Sequence, residues 1–127
     1  MRALLITKEG IKEVEIGTNH EKLMATLEDR PMYKGDHTLK SMYYYIGCHT
    51  VTGAGEPDQA HVCYADDEGL FKLADGCQVT TVSWHPEKLV GKLLVTGFDP
   101  ATGETIPATM DVDDLRSMIK VGELRYE

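Results

Sequence analysis

Tyrosine, histidine and cysteine side chains concentrate between residues 42 and 65, where they could bind a ligand or a metal ion. Aromatic and β-branched content predicts strands over residues 42–52 and 59–65. A glycine-rich turn separates them, and pairing of Thr52 with Asp58 would make them a hairpin. One face of this hairpin would then carry Tyr43, Tyr45, His49, His61 and Cys63.

Two imidazoles and a thiolate on one face are ligands of the kind that zinc prefers. His49, His61 and Cys63 are therefore weak metal candidates, although no pair has the spacing of a strong motif such as CxxC or HExxH. In the alternative interpretation Cys63 packs as a small apolar residue and the histidines lie at the sheet surface. The sequence leaves both open, and we expect no cofactor.

Aromatic residues supply a second set of candidates. Tyr43 and Tyr45 offer flat surfaces that can anchor a partner or a small molecule, or simply pack against the core. Trp84 and His85 end a predicted strand, and His85 with Glu87 could perform acid–base chemistry unless both are idle in an exposed turn. The residues predicted to bind are Tyr43, Tyr45, His49, His61, Trp84 and His85.

No catalytic motif can be assembled, so we assign no catalytic residues and favour a non-enzymatic protein. Asp111, Asp113 and Asp114 miss the D-x-D-x-D-G pattern of an EF-hand loop because position 115, where the third acidic ligand is needed, is leucine, and helix capping explains them. Residues 53–55 continue into neither a dinucleotide loop nor a P-loop, and no serine has a GxSxG context.

The chain of 127 residues carries a formal net charge of −8. Acidic residues outnumber basic ones by 9 to 7 in residues 1–64 and by 12 to 6 in residues 65–127. Such a chain repels a phosphate backbone, which makes direct nucleic-acid binding an unfavourable hypothesis. The acidity is mainly a solubility feature and secondarily indicates a basic partner.

Composition also predicts a location. No apolar run approaches the roughly 18 residues that span a bilayer, and the N-terminal residues do not have the pattern of a signal peptide. Three cysteines, an odd number without a CxxC pair, favour a reducing compartment. We therefore expect a cytoplasmic protein without a membrane partner.

The most apolar stretch, residues 89–98, is hydrophobic on both faces and predicts a central strand. Gly91 and Gly97 share one face of it and indicate a bulge or a close neighbour. Helices are predicted over residues 19–29 and from Asp111 onwards. The expected fold is a single α+β domain over residues 1–127, with a mostly antiparallel six- to seven-stranded sheet and two short helices.

The order of these pieces resembles a family of small uncharacterised proteins encoded by bacteriophages, plasmids and other mobile elements. The resemblance rests on the opening MRALLI, the acidic turn of residues 64–70, the LVGKLLVTG of residues 89–97 and the turn from Asp99 to Glu104. It covers residues 1–17 and 62–115, and residues 31–61 depart from it. It implies an accessory protein acting in the cytoplasm of a bacterial host, and it transfers no site residues.

Three functional hypotheses follow. The first is a non-enzymatic accessory protein that binds, and could inhibit, a host bacterial protein through the tyrosine and histidine face or the acidic C-terminal half. The second is a binder of a small ligand or nucleotide derivative near His49, His61 and Trp84. The third is a metal-dependent hydrolase built on His49, His61 and Cys63. The tyrosine face would equally serve a homodimer.

Overall fold

The computed structural model describes residues 1–16, 37–48, 50–69, 73 and 76–124, with only the backbone described for residues 37–40. Short strands dominate these ranges, together with two helices. In chain order the elements are β1 (Arg2–Thr7), β2 (Gly10–Glu15), α1 (His37–Ile46), β3 (Val51–Gly53), β4 (His61–Asp66), β5 (Gln78–Val82), β6 (Leu89–Val90), β7 (Leu93–Phe98), β8 (Thr105–Ile106), α2 (Val112–Met118) and β9 (Ile119–Glu123).

The larger sheet has six strands, all paired antiparallel, in the order β2-β1-β7-β4-β3, with β8 paired to the end of β7. Strand β7 lies in the middle of this order, and Leu93, Leu94 and Val95 are fully buried. The predicted α+β fold with a mostly antiparallel sheet is therefore confirmed, and so is the central position of residues 93–98.

The predicted central strand is nevertheless divided in two. Gly91 has a φ of +87°, a conformation that glycine adopts without a steric penalty, and the chain turns there. Residues Leu89–Val90 consequently form β6 of a second sheet with the order β6-β5-β9. The close neighbour predicted for Gly97 is present, because a Cβ on Gly97 would lie 2.3 Å from the Pro107 carbonyl oxygen.

The six-stranded sheet lies between two apolar clusters, because alternate residues of its central strands point to opposite faces. On one face Leu4, Ile6, Leu93 and Val95 pack against the small sheet and α2. On the other face α1 and the residues after it cover the sheet. The buried members of this second cluster are Ala3, Leu5, Ile16, Met42, Ile46, Cys48 and Leu94.

The prediction of a strand over residues 42–52 is wrong for residues 42–46, whereas residues 51 and 52 do belong to a strand, β3. Residues 37–46 form α1, in which Met42 and Ile46 are four positions apart and both buried, as a helix with one apolar face requires. The β-propensity of three successive tyrosines is overridden by this packing. Gly47, with a φ of +76°, ends the helix, and its amide donates to the Tyr43 carbonyl at 2.9 Å.

The two other predicted helices have different outcomes. The helix over residues 19–29 lies outside the described residues. The helix after Asp111 is confirmed as α2, with Asp113 and Asp114 in its first turn. It ends at Met118, because the chain continues directly into β9, which begins at Ile119 and includes Gly122. There β9 pairs with β5 over five residue pairs.

Candidate functional site

The predicted face of tyrosine, histidine and cysteine side chains does not form. Strand β3 pairs with β4 so that Val51 faces Asp66 and Thr52 faces Ala65, instead of Thr52 facing Asp58. Tyr43 and Tyr45 lie on α1 and pack on one face of the sheet, whereas Cys63 lies in the cluster on the other face. His49 lies outside the described residues.

His61 is only 3% exposed, and both of its ring nitrogens have partners. Its Nε2 lies 3.0 Å from the Thr109 amide nitrogen and 3.1 Å from that of Met110, and its Nδ1 lies 2.8 Å from Asp58 Oδ1. Because backbone amides only donate, Nε2 is the acceptor and Nδ1 carries the proton that is donated to Asp58. We call this arrangement of Asp58, His61, Thr109 and Met110 the His61 latch.

The latch resembles an acid–base pair but cannot act as one. Partial burial of Asp58 raises the pKa of its carboxyl, but the hydrogen bonds from His61 and Ala60 outweigh this effect and lower that pKa below its ordinary value. A general base would use Nε2, but this nitrogen already accepts hydrogen bonds from two backbone amides. These hydrogen bonds also leave His61 no lone pair for a metal ion. The latch instead fixes the segment that leads into α2.

Cys63 is equally unsuited to metal binding or nucleophilic chemistry. Its side chain is fully buried in the apolar cluster, and burial raises the pKa of the thiol to about 12, an increase that the nearby Trp84 indole opposes. A thiol with this pKa stays protonated at neutral pH, whereas zinc and electrophiles require the thiolate. Among the described residues, no group of three or more His, Cys, Asp or Glu side chains is placed to hold a metal ion.

Trp84 and His85 stabilise turns. The Trp84 indole donates from Nε1 to the Ala54 carbonyl oxygen at 2.9 Å and covers Gly55, where a Cβ would lie 2.7 Å from the indole ring. His85 directs Nδ1 to the backbone of Glu87, whose amide donates to it at 3.2 Å. Trp84 is therefore committed to the fold through its only polar atom, and His85 Nδ1 to its own turn.

The acidic residues at α2 lie at the predicted positions, with Asp113 and Asp114 in the first turn of the helix. Asp111 occupies the N-cap position, but its side chain makes no capping hydrogen bond. Asp113 forms an ion pair with Arg116 on the helix surface. Capping therefore explains the position of Asp111 in the sequence but not the conformation of its side chain.

The tyrosines of α1 form the most exposed aromatic surface of the described chain. Tyr44 is 45% exposed, and its ring contacts that of Tyr45 edge to face, with a centroid distance of 5.2 Å and an angle of 79° between the planes. Burial raises the pKa of the Tyr45 hydroxyl, and Tyr44 and Glu15 add to the increase. The strand interpretation missed Tyr44, and the spacing of Met42 and Ile46 was the signal for a helix that exposes it.

A groove of about 390 Å³ lies where the end of α1 meets the β1–β2 turn and the small sheet. Its lining combines apolar and glycine residues with the amide of Gln78 and four charged residues, Lys8, Glu9, Asp66 and Lys92. We call it the Gln78 groove. No sequence pattern indicated it, because its walls come from segments far apart in the chain.

Comparison of the chain with protein-family models, with curated proteins and with solved structures gives no match. Neither α1 nor α2 has the length and apolar character that a membrane-crossing helix needs, and no other helix in the described part of the chain does. The candidate sites therefore rest on geometry alone.

Proposed function

We propose that this protein is a non-enzymatic accessory protein of a bacteriophage or other mobile element, and that it binds a host bacterial protein in the cytoplasm. The contact is made by Tyr44 and Tyr45, which we call the tyrosine surface. The likeness of its turns and glycines to mobile-element proteins supports the context. The exposed aromatic pair supports the binding role.

The exposure of Tyr44 is the observation that carries this proposal. Tyrosine is enriched among the residues that dominate binding energies, because a rigid ring buries a large area at small entropic cost. Tyr44 is held by its contact with Tyr45, so little further ordering is needed when a partner binds. The other exposed large apolar residues in the described ranges are Leu73 and Ile106, and the described chain provides neither with such an aromatic contact.

The candidate catalytic groups are used within the fold, and this supports a non-enzymatic role. The ring nitrogens of His61 are bonded within the fold and the thiol of Cys63 is buried and protonated. The hydrolase hypothesis needs both residues as ligands, and we do not pursue it. A small-ligand site centred on His61 and Trp84 lacks support for the same reason.

The test is affinity capture from bacterial lysate with the tagged wild-type protein and two single variants, Y44A and I106A. Both substitutions remove an exposed large side chain, so I106A controls for nonspecific apolar adhesion. We expect one host protein at stoichiometric yield with the wild type and I106A, and at least tenfold less with Y44A. Equal recovery with Y44A and the wild type would contradict the proposed surface, provided that thermal unfolding shows all three to be folded.

A further inference from the structure

We propose that the Gln78 groove binds a small organic monoanion that carries an N–H or O–H donor. This activity is independent of partner binding by the tyrosine surface. The proposal rests on the dimensions of the groove, on the side-chain oxygen of Gln78 as an acceptor in its lining, and on one cation at its rim that has no partner in the described part of the chain.

The groove has the size and walls of a small-molecule site. Its volume of about 390 Å³ falls within the roughly 300–1,000 Å³ of typical ligand pockets. Ile46 and Val90 supply apolar surface, while Gly47 and Gly91 present bare backbone. Both glycines have positive φ values, so a side chain is disfavoured there and the walls stay open.

Gln78 supplies the acceptor. Its side chain is 5% exposed, and its amide nitrogen donates to the Ile6 carbonyl oxygen at 3.2 Å and to Thr80 Oγ1 at 3.0 Å. The described chain provides no hydrogen bond to its Oε1. This oxygen is not among the fully buried unpaired side-chain atoms of the described chain, so it is accessible from the groove that Gln78 lines and can accept a hydrogen bond from an N–H or O–H of the occupant.

Lys92 supplies the cation. It is exposed at the rim and forms no ion pair or hydrogen bond within the described part of the chain. Lys8 is already occupied, because its Nζ donates to the Gly76 carbonyl at 2.8 Å and lies 3.5 Å from a Glu123 carboxylate oxygen. Glu9 and Asp66 also line the groove and would repel a second negative charge. The occupant is therefore an anion with a single charge.

The probe is 8-anilinonaphthalene-1-sulfonate, which combines one sulfonate, an apolar body and an anilino N–H. We expect saturable binding at one site per folded chain, with a raised melting temperature because the ligand binds the folded state. Exchanging Lys92 for glutamate should weaken binding about fivefold, which is near the upper limit for an exposed charge pair. K120E is the matched control, because it makes the same charge change at an exposed residue that lines a different groove, on the small sheet.

A chemical block gives an independent readout. Cys77 lines the groove and is partly exposed, whereas Cys48 and Cys63 are buried, so iodoacetamide should alkylate Cys77 first in the folded protein. Loss of the binding site after alkylation supports the proposal. Binding that survives alkylation, equal affinities for K92E and K120E, or absence of a saturable site would each overturn it.

Discussion

The His61 latch makes a sharp prediction, because its two nitrogens can be replaced one at a time. Glutamine at residue 61 places an amide oxygen near the position of Nε2 and can still accept from the Thr109 and Met110 amides. Asparagine is shorter, and its amide reaches only the position of Nδ1, where it can still donate to Asp58. The two variants therefore separate the inner half of the latch from the outer half.

The expected magnitudes follow from the burial of each partner. The Met110 amide is buried, and leaving it unpaired costs about 1–3 kcal/mol. The Thr109 amide is partly buried and adds a smaller amount, so H61N should lose about 2–4 kcal/mol of unfolding free energy. H61Q loses only the contact with Asp58, whose side chain is 43% exposed, and should lose about 1 kcal/mol beyond the shared cost of removing the ring.

Urea denaturation of the wild type, H61Q and H61N measures these differences as changes in midpoint at constant m-value. We expect the order of stability to be wild type, then H61Q, then H61N. An H61N protein as stable as H61Q would refute the assignment of Nε2 as the buried acceptor. A catalytic or metal-binding His61 predicts no such order, because its function would not depend on the Thr109 and Met110 amides.

Three further predictions concern stability and use urea denaturation. In the described chain, Thr96 Oγ1 is the buried side-chain polar atom without a hydrogen bond, so T96V should stabilise the fold by about 1 kcal/mol. T96S keeps the hydroxyl and loses a methyl group, so this variant should be less stable than the wild type. Partial burial raises the pKa of Asp58, but hydrogen bonds outweigh it and lower that pKa below 3.8, so the stabilisation by Asp58 is fully present above 3.8 and is lost as pH falls through the folded pKa. The stability gap between wild type and D58N should therefore close as the pH is lowered below 3.8, and a constant gap would contradict this. G97A should destabilise the fold strongly, because the new Cβ would lie 2.3 Å from a backbone oxygen. G53A is the control and should change stability little, because a Cβ there would have no neighbour within 4 Å. Equal effects of the two substitutions would argue against the packing of β8 on β7.

The strands were largely predictable, because burial on one face leaves a period of two in the sequence and burial on both faces leaves a short continuous apolar run. Residues 2–7 and 93–98 are apolar on both faces and lie side by side in the sheet, as that pattern indicates. The division of residues 89–98 between two sheets was not predictable, since it depends on a positive φ at Gly91 that the sequence shows only as a glycine. The tyrosine run misled because three aromatic residues satisfy a strand pattern as well as a helix surface.

The candidate sites were less predictable than the fold, because their contacts join distant parts of the chain. His61 meets amides 48 and 49 positions away, and no local spacing reports such a pair. The Gln78 groove likewise combines Lys8, Gln78 and Lys92, which have no motif in common. What the sequence did indicate was which residue types could perform chemistry, and this was not enough to separate structural from functional roles.

That separation depends on which atoms remain without partners once the chain has folded. His61 and Trp84 direct their ring nitrogens into the protein, and substitutions there should reduce binding only through lost stability. The ring of Tyr44 and the ammonium group of Lys92 face solvent, so Y44A and K92E should change binding at unchanged unfolding free energy. Measuring stability and binding for all four positions therefore tests the assignment itself, because a functional His61 would lose binding in a variant that remains stable.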